Sequence, residues 1–178
     1  VNTAQYVVPY LMRPFLDKNP DVRISVRVVN RATAIERLSD NVDDLVIMGM
    51  VPDGKGLISI PFLDNELVAV APAEHPLLGQ QAVSAEEFLS SRLLMREAGS
   101  GSRLALEVHC HETKLKIPEA MILGSNDAIK HAVIAGLGVA VLPKLSILPE
   151  LQLGTLQILP IDHFPLRRSW CLVHPANK

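Results

Sequence analysis

Met-Arg-Glu-Ala-Gly-Ser-Gly-Ser-Arg, residues 95–103, is the most informative stretch of this chain. A short apolar strand predicted over 93–95 leads into it, and an apolar-periodic helix predicted over 102–112 follows it directly. Backbone N–H groups at a helix start have no partner within the helix and carry partial positive charge, so such a turn favours an anion. Arg96 and Arg103 flank the turn and can add charge-assisted hydrogen bonds to a phosphate or a carboxylate.

The composition excludes several classes of protein. The 178 residues are 48% hydrophobic, which suffices for a core and argues against disorder. With a net charge of −2, the chain does not have the excess of basic residues expected of a domain that binds DNA or anionic lipid by itself. No apolar run approaches the roughly 18 residues needed to span a bilayer. Cys110 and Cys171 are predicted to be free, buried thiols in a reducing compartment, and the expected location is the cytoplasm.

Hydrophobic periodicity predicts strands that alternate with helices, which is typical of an α/β fold with largely parallel sheets. Pro9 suits the first turn of a helix near residues 7–15, whereas Pro14 predicts a kink or an early end. Residues 21–28 alternate strictly and predict a half-buried strand. The apolar run at 45–49 predicts a central parallel strand. Further strands are predicted at 57–62, 66–71, 120–123, 139–142, 156–161 and 169–174, with helices that begin after Asn30, Ser84 and Ser125 and with a helix end at Gly136.

Three loops each follow a strand position of such a fold and open a helix: residues 2–5, 96–103 and 124–127. In open α/β sheets, ligands bind at the carboxyl ends of strands, near helix starts. Every residue of these loops also has a purely structural interpretation as a helix cap or turn. The candidate ligand-binding residues are Asn2, Thr3, Gln5, Asn30, Arg31, Arg96, Gly99, Ser100, Gly101, Ser102, Arg103, Ser125 and Asn126.

Catalytic and metal motifs are weak. Neighbours in His109-Cys110-His111 do not share a face of a helix, so they do not converge on one metal ion. A hydrolase elbow around Ser100 requires glycine where Ala98 stands. Residues 54–56 lack the frame of a P-loop. We therefore expect no metal, no cofactor and no catalysis, and we interpret Arg167 and Arg168 as solvated charges.

The order of the motifs resembles the effector-binding domain of LysR-type transcriptional regulators. The pair formed by residues 96–103 and 124–130 looks most like the branch that controls carbon-fixation operons and bicarbonate uptake. Each motif alone is weak evidence for the family, but the motifs in this order and spacing are specific to it. The matching segments are Asn2-Thr3-Ala4-Gln5-Tyr6, Asn19-Pro20-Asp21-Val22, Val29-Asn30-Arg31, Asp44-Leu45-Val46-Ile47, and residues 66–77, 96–103, 123–138 and 164–168.

This resemblance implies two Rossmann-like subdomains of the periplasmic-binding-protein type II architecture, joined by two crossover strands. The crossovers are expected near Asn65-Glu66 and Phe164-Pro165. Subdomain I then comprises residues 1–65 and 164–178, and subdomain II comprises 66–163. The effector binds in the cleft between them.

The resemblance also implies a small anionic effector, such as ribulose-1,5-bisphosphate or 2-phosphoglycolate. It implies a homodimer that becomes a tetramer at full length, with DNA bound only through an N-terminal winged helix-turn-helix. This chain begins at Val1 without that domain and without a visible signal peptide, so we expect a fragment or a processed form. A solute-binding protein of a transporter is the alternative, because it shares the fold.

Overall fold

The structure is a computed structural model, and it describes residues 5–54 and 56–177. Asn2 and Thr3, two of the candidate ligand-binding residues, lie outside the described residues. Short 3-10 turns occupy Pro76–Gly79 and Lys144–Ile147. The helices and strands are α1 (Val8–Lys18), α2 (Arg31–Ser39), β1 (Val46–Met48), β2 (Leu57–Pro72), α3 (Ala85–Ser90), β3 (Leu93–Arg96), α4 (Gly101–Glu112), β4 (Met121–Leu123), α5 (Asn126–Ile134), β5 (Val139–Pro143), α6 (Leu148–Leu153), β6 (Leu156–Ile158) and β7 (Leu166–Pro175).

Two long antiparallel strands form the middle of the sheet. Strands β2 and β7 pair from Leu57 opposite Pro175 to Leu67 opposite Leu166. Strand β1 pairs with β7 on one side, and β5, β3 and β4 follow β2 on the other side. The predicted alternation of strands and helices holds from β2 to β6, but not for α1 and α2, β1 and β2, or β6 and β7, and the expectation of largely parallel sheets is wrong. Among the described strands, only β3 pairs in parallel, with β4 and β5, because β2 and β7 run antiparallel to their partners.

The two strands predicted at 57–62 and 66–71 form one continuous strand, β2. The pairing with β7 shifts register between Pro61 and Leu63. Proline has no N–H to donate to a ladder, so it is found at such irregularities. The bulge thus lies at the end of the first predicted strand, whereas residues 63–65, between the two predicted strands, pair regularly with β7.

The core lies on both faces of the sheet at one end. Alternate residues of β2 point to opposite faces: Leu67 and Ala69 belong to one apolar cluster, and Val68 belongs to the other. Helices α3 and α4 cover the first face, and α5 covers the second. A third cluster joins α2, β1 and β7. Cys110 and Cys171 are buried free thiols, as predicted.

The predicted helix boundaries agree with the structure at several ends. The side chains of Asn30, Ser84 and Ser125 each accept a hydrogen bond from a backbone N–H in the first turn of their helices. Gly136 ends α5 with a φ of +81°, as predicted. The early end at Pro14 does not occur, since α1 continues to Lys18. The carbonyl that loses its partner belongs to Tyr10, which is exposed, so water can serve it.

The predicted strand over residues 21–28 is wrong. This segment has no regular structure, and Val22, Ile24, Val26 and Val28 are between 41% and 49% exposed. A strand forms only against a neighbour, and no described strand pairs with this segment. The expectation that residues 45–49 form a central parallel strand is also wrong, since β1 pairs antiparallel with β7.

Candidate anion-binding site

Helices α2 and α4 begin beside each other. The backbone N–H of Ala32, in the first turn of α2, donates to the carbonyl of Gly99 at 3.0 Å. A Cβ placed on Gly99 would lie 3.0 Å from the Cβ of Ala32, and the φ of Gly99 is +91°. Both the conformation and the close approach require glycine. The Gly99 turn therefore sets the amino ends of two helices side by side.

The first turn of α4 offers unpaired donors. Ser100 caps this helix, because its Oγ accepts from the N–H of Arg103 at 3.4 Å and its carbonyl accepts from Leu104 at 3.0 Å. Among the described residues, no acceptor holds the N–H groups of Gly101 or Ser102. Such groups, with the positive end of the helix dipole, bind anions. The turn predicted from the sequence thus has the expected donors.

Arg31 supplies a positive charge at the same place. Its Nε donates to the carbonyl of Met50, and its Cβ and Cδ lie 3.9 Å from where a Cβ on Gly101 would stand. Burial lowers the pKa of Arg31, but a guanidinium remains protonated in proteins. In the described part of the chain, no carboxylate pairs with it. Its charge is therefore uncompensated beside the first turn of α4.

Arg96 is buried, and each of its three guanidinium nitrogens donates to a protein group. Its Nε and Nη2 each donate to Glu97 at 2.8 Å, and its Nη1 donates to Oδ1 of Asn126 at 3.1 Å. Glu97 also accepts from Nδ2 of Asn30 at 3.3 Å. Burial alone would raise the pKa of Glu97, but hydrogen bonds from Arg96, its own backbone and Asn30, with the charge of Arg96, lower it. We call these four residues the Arg96 network; it connects the starts of α2 and α5.

Arg103 is also paired with an acid. Its Nε lies 2.7 Å from Oε1 of Glu107, and its Nη1 donates to the carbonyl of Arg96 at 3.1 Å. The sequence left open which of Arg96 and Arg103 points into the cleft. Both guanidinium groups are compensated by carboxylates, whereas Arg31 is not.

The start of α5 is the third helix start that the sequence singled out. Ser125 caps it by accepting from the N–H of Ala128 at 3.0 Å. The hydroxyl of Tyr6 donates to Oδ1 of Asp127 at 2.7 Å, which brings the segment before α1 to this helix. Burial and the hydrogen bond to Asp127 raise the pKa of Tyr6. Gln5, a candidate contact, is exposed next to Tyr6.

A cavity of about 20 Å³ lies under the first turn of α4. Sequence reasoning interpreted Arg168 as a solvated charge, but this residue is half-buried and lines the cavity. Arg167 is the exposed neighbour, and its Nη1 lies 2.8 Å from Oε1 of Glu66. Sequence reasoning also missed Asn65 and Trp170, since only strand register places them here. The lining residues are Gly49, Met50, Asn65, Leu67, Gly101, Ser102, Ala105, Arg168 and Trp170.

Metal ligands do not cluster in the part of the chain that the structure describes. No group of three His, Cys, Asp or Glu side chains there is placed to hold an ion. His109 and Cys110 are buried on α4, and His111 is exposed. The described helices are also too short or too polar to cross a membrane.

Comparisons with known proteins agree with this architecture. Similar relatives include the transcriptional activator CmpR of Synechocystis, which is 37% identical over 178 residues, and the RuBisCO operon transcriptional regulator of Acidithiobacillus ferrooxidans, 36% identical over 178 residues. The regulator CbbR of Rhizobium meliloti is 39% identical over 179 residues. The matches cover 100% of this chain but only 57–59% of each relative, so the chain spans less than two thirds of their length.

Solved structures show the same fold. The CcmR regulatory domain of Synechocystis PCC6803, in complex with 2-phosphoglycolate, superposes with a TM-score of 0.91 at 37% identity, over 99% of this chain and 85% of that one. The QuiR effector-binding domain, in complex with shikimate, has a TM-score of 0.86 at 20% identity, over 99% and 84%. These neighbours confirm the fold class that the resemblance implied. The LysR substrate binding domain family matches residues 1–178, and the chain therefore belongs to that family.

Proposed function

We propose that this chain is the metabolite-sensing domain of a transcription regulator that controls genes of inorganic-carbon acquisition or fixation. Its relatives are regulators of RuBisCO operons and similar proteins, matched along the entire chain. Its effector is a small phosphorylated anion, because the similar CcmR domain binds 2-phosphoglycolate. Ribulose-1,5-bisphosphate is a second candidate of the same chemistry.

The observation that carries this proposal is the meeting of two helix starts beside an uncompensated arginine. The N–H groups of Gly101 and Ser102 and the guanidinium of Arg31 offer directed donors and positive charge to one phosphate group. The Arg96 network orients the surrounding turns. We propose as ligand-binding or positioning residues the set predicted from the sequence: Asn2, Thr3, Gln5, Asn30, Arg31, Arg96, Gly99, Ser100, Gly101, Ser102, Arg103, Ser125 and Asn126.

Binding can regulate only if the ligand prefers one arrangement of the protein. We propose that residues 1–65 and 164–178 form one subdomain and that residues 66–163 form the other. The two then meet through Ala32 and Gly99, Asn30 and Glu97, and Tyr6 and Asp127. An anion between them stabilises the closed arrangement, and a coupling of roughly 1–3 kcal/mol changes DNA affinity about 5- to 150-fold.

The rest of the regulator is proposed from the relatives, which are longer than this chain. DNA is bound by a separate N-terminal winged helix-turn-helix, and the full protein works in the cytoplasm. The assembly is a homodimer that becomes a tetramer at full length. The domain senses its ligand and catalyses no reaction.

Titration calorimetry with 2-phosphoglycolate, ribulose-1,5-bisphosphate, glycolate and 2-oxoglutarate tests the proposal. We expect saturable binding of a phosphorylated anion. Arg31→Gln should weaken it by about 1.5–3 kcal/mol, because a charged hydrogen bond to phosphate is lost. Arg13→Gln is the matched control, since Arg13 pairs with Asp17 on the exposed surface of α1. An absence of heat with every anion overturns the proposal.

A further inference from the structure

Three aromatic rings join helix α4 to residues 162–165, which lead into β7 and which we call the β7 loop. His109 packs edge-on against Phe164, with ring centroids 5.3 Å apart and ring planes at 78°. Phe164 packs in turn against Phe88, with centroids 6.2 Å apart. Phe88 is fully buried, and His109 is only 9% exposed. The β7 loop is therefore attached to the core next to a buried histidine.

Phe164 is the side chain that holds the β7 loop. Asp162 and His163 are exposed, whereas Phe164 is half-buried against the core cluster covered by α3 and α4. His163 has a φ of +67°, a conformation that is uncommon outside glycine and that persists only where neighbouring contacts enforce it. Ile161 and Leu166, on either side of the loop, are buried. Phe164 thus fixes a short segment between two buried points.

The ring of His109 is placed for its neutral form. Its Nε2 is buried and has no hydrogen-bond partner among the described residues. A protonated imidazole donates from both nitrogens, and a buried donor without an acceptor costs far more when it carries a charge. The ring is therefore stable between α4 and Phe164 only while it is neutral.

The charged groups around the ring belong to the elements that pack against it. Burial lowers the pKa of His109, and charges on His163 in the β7 loop and Arg168 on β7 lower it further. Glu112, on α4 itself, acts in the opposite direction. Glu112 is exposed and follows His109 by one turn of the helix, so the two side chains lie on one side of α4. A ring that turns toward Glu112 gains both water and a carboxylate.

We propose that protonation of His109 moves its ring toward Glu112 and releases Phe164, and with it the β7 loop, from the core. Once Phe164 loses its partner, the left-handed conformation of His163 is no longer enforced. The released form gains population as the pH falls below the ordinary histidine pKa of 6.5, because the released ring takes up a proton more readily than the buried ring. His109 lies about 12 Å along α4 from Gly101, and the inference needs no ligand, so it is independent of the proposed function.

NMR of the unmodified chain tests the displacement of the ring directly. At pH 7, the ring protons of His109 and Phe164 should give a nuclear Overhauser effect, because the two ring centroids are 5.3 Å apart. This signal should disappear as His109 titrates. A signal that persists after the ring has titrated, or a ring that does not titrate before the chain unfolds, overturns the inference.

Hydrogen exchange measures the release of the loop. The N–H of Phe164 donates to the carbonyl of Ile161 at 3.2 Å, so its exchange reports on the β7 loop. After correction for the intrinsic rate, this exchange should be at least about threefold faster at pH 5 than at pH 7. At pH 5 it should also be faster than exchange of the N–H of Ile129, which donates to Ser125 within α5 at 3.1 Å. Equal exchange at the two sites would mean that the loop opens only when the chain unfolds, and it would overturn the inference.

Two pairs of variants separate the role of His109 from other effects of acid. His109→Leu should remove the pH dependence of exchange at Phe164, and His111→Leu, an exposed change on the same helix, should keep it. Glu112→Gln should move the release to lower pH, because it removes the charge that favours the protonated ring, whereas Glu86→Gln, an exposed change on α3, should not. A pH dependence that survives His109→Leu overturns the inference. Where His109→Leu fails to fold, the shift with Glu112→Gln and the loss of the ring contact decide the test.

Discussion

At the scale of single residues, Arg96 shows how a buried charge is held near the proposed binding site. It is 4% exposed, and its donors are divided between Glu97 and Asn126. A buried guanidinium is tolerated only when its charge and its N–H groups are satisfied. Its place in the network indicates a residue that positions Asn30 and Asn126 through Glu97 and through direct contact.

Arg96→Met should lower the free energy of unfolding by about 2–3 kcal/mol, because it leaves the partly buried carboxylate of Glu97 without its cation. Urea denaturation measures this loss. Arg13→Met is the control, since Arg13 and Asp17 are 83% and 66% exposed and such a pair contributes less than about 1 kcal/mol. Equal losses in the two variants would show that the Arg96 network carries no special stability.

Residue types and spacing predicted part of this site. Asn30, Ser100 and Ser125 were predicted at helix starts, and each caps one. The partners of the arginines were not predictable, because pairing depends on side-chain directions over a few ångströms. Arg31 keeps an uncompensated charge only because no carboxylate is close, and sequence spacing cannot reveal that.

At the scale of the elements, the junction of β3 and β5 depends on one glycine. A Cβ on Gly138 would lie 2.1 Å from the carbonyl oxygen of Arg92, and that carbonyl accepts from the N–H of Val139 at 2.9 Å. Because the clashing atom is a backbone oxygen, it cannot move away by a rotamer change as a side-chain atom could. The contact aligns the starts of the two parallel strands.

Gly138→Ala should therefore cost about 2–3 kcal/mol of stability, the range for forcing extra volume into a packed region. A thermal or urea melt measures the cost. Gly79→Ala is the matched control, because no atom lies within 4 Å of a Cβ at that position. If Gly138→Ala were as stable as Gly79→Ala and the unmodified chain, the starts of β3 and β5 could move apart without a loss of stability, and this account would be wrong.

Helix α4 carries a titratable group in its buried face. His109 packs edge-on against Phe164, with ring centroids 5.3 Å apart, and its Nε2 has no partner in the described structure. Burial lowers the pKa of His109, and the nearby charges of His163 and Arg168 lower it further, against an opposing effect of Glu112. The folded protein therefore keeps this ring neutral at a pH where the unfolded chain takes up a proton.

Stability should fall as the pH drops below the ordinary histidine pKa of 6.5, since the unfolded state then binds more protons than the folded state. The loss ends once the pH is below the folded pKa. His109→Leu should remove this dependence between pH 7 and pH 5 in urea melts, and His111→Leu, an exposed change on the same helix, should retain it. A loss of the dependence in both variants would contradict this account of His109.

The predictions of secondary structure were wrong where tertiary contacts determine the conformation of the segment. Residues 21–28 alternate as a half-buried strand does, yet no described strand lies beside them. Helix α6, Leu148–Leu153, was missed because Pro149 and the short apolar segment gave no periodic signal. Caps and glycine helix ends were predictable because their physics is local.

At the scale of the whole molecule, the two long strands β2 and β7 form the middle of the sheet, and the other described strands lie on either side of them. Periodicity predicted an α/β chain, but it could not place distant loops together. The resemblance supplied the crossovers near residues 65–66 and 164–165, and β2 pairs with β7 at residues 65–67 and 166–168. The division into two subdomains stays a prediction. It matters for function because the proposed anion lies between elements assigned to different subdomains, α2 and α4.

A crystal structure of the chain with 2-phosphoglycolate tests the central claim most directly. It should show the phosphate at the first turn of α4, with oxygens within about 3 Å of the backbone nitrogens of Gly101 or Ser102 and of the guanidinium of Arg31. A ligand bound elsewhere, with these groups facing solvent, would contradict the account.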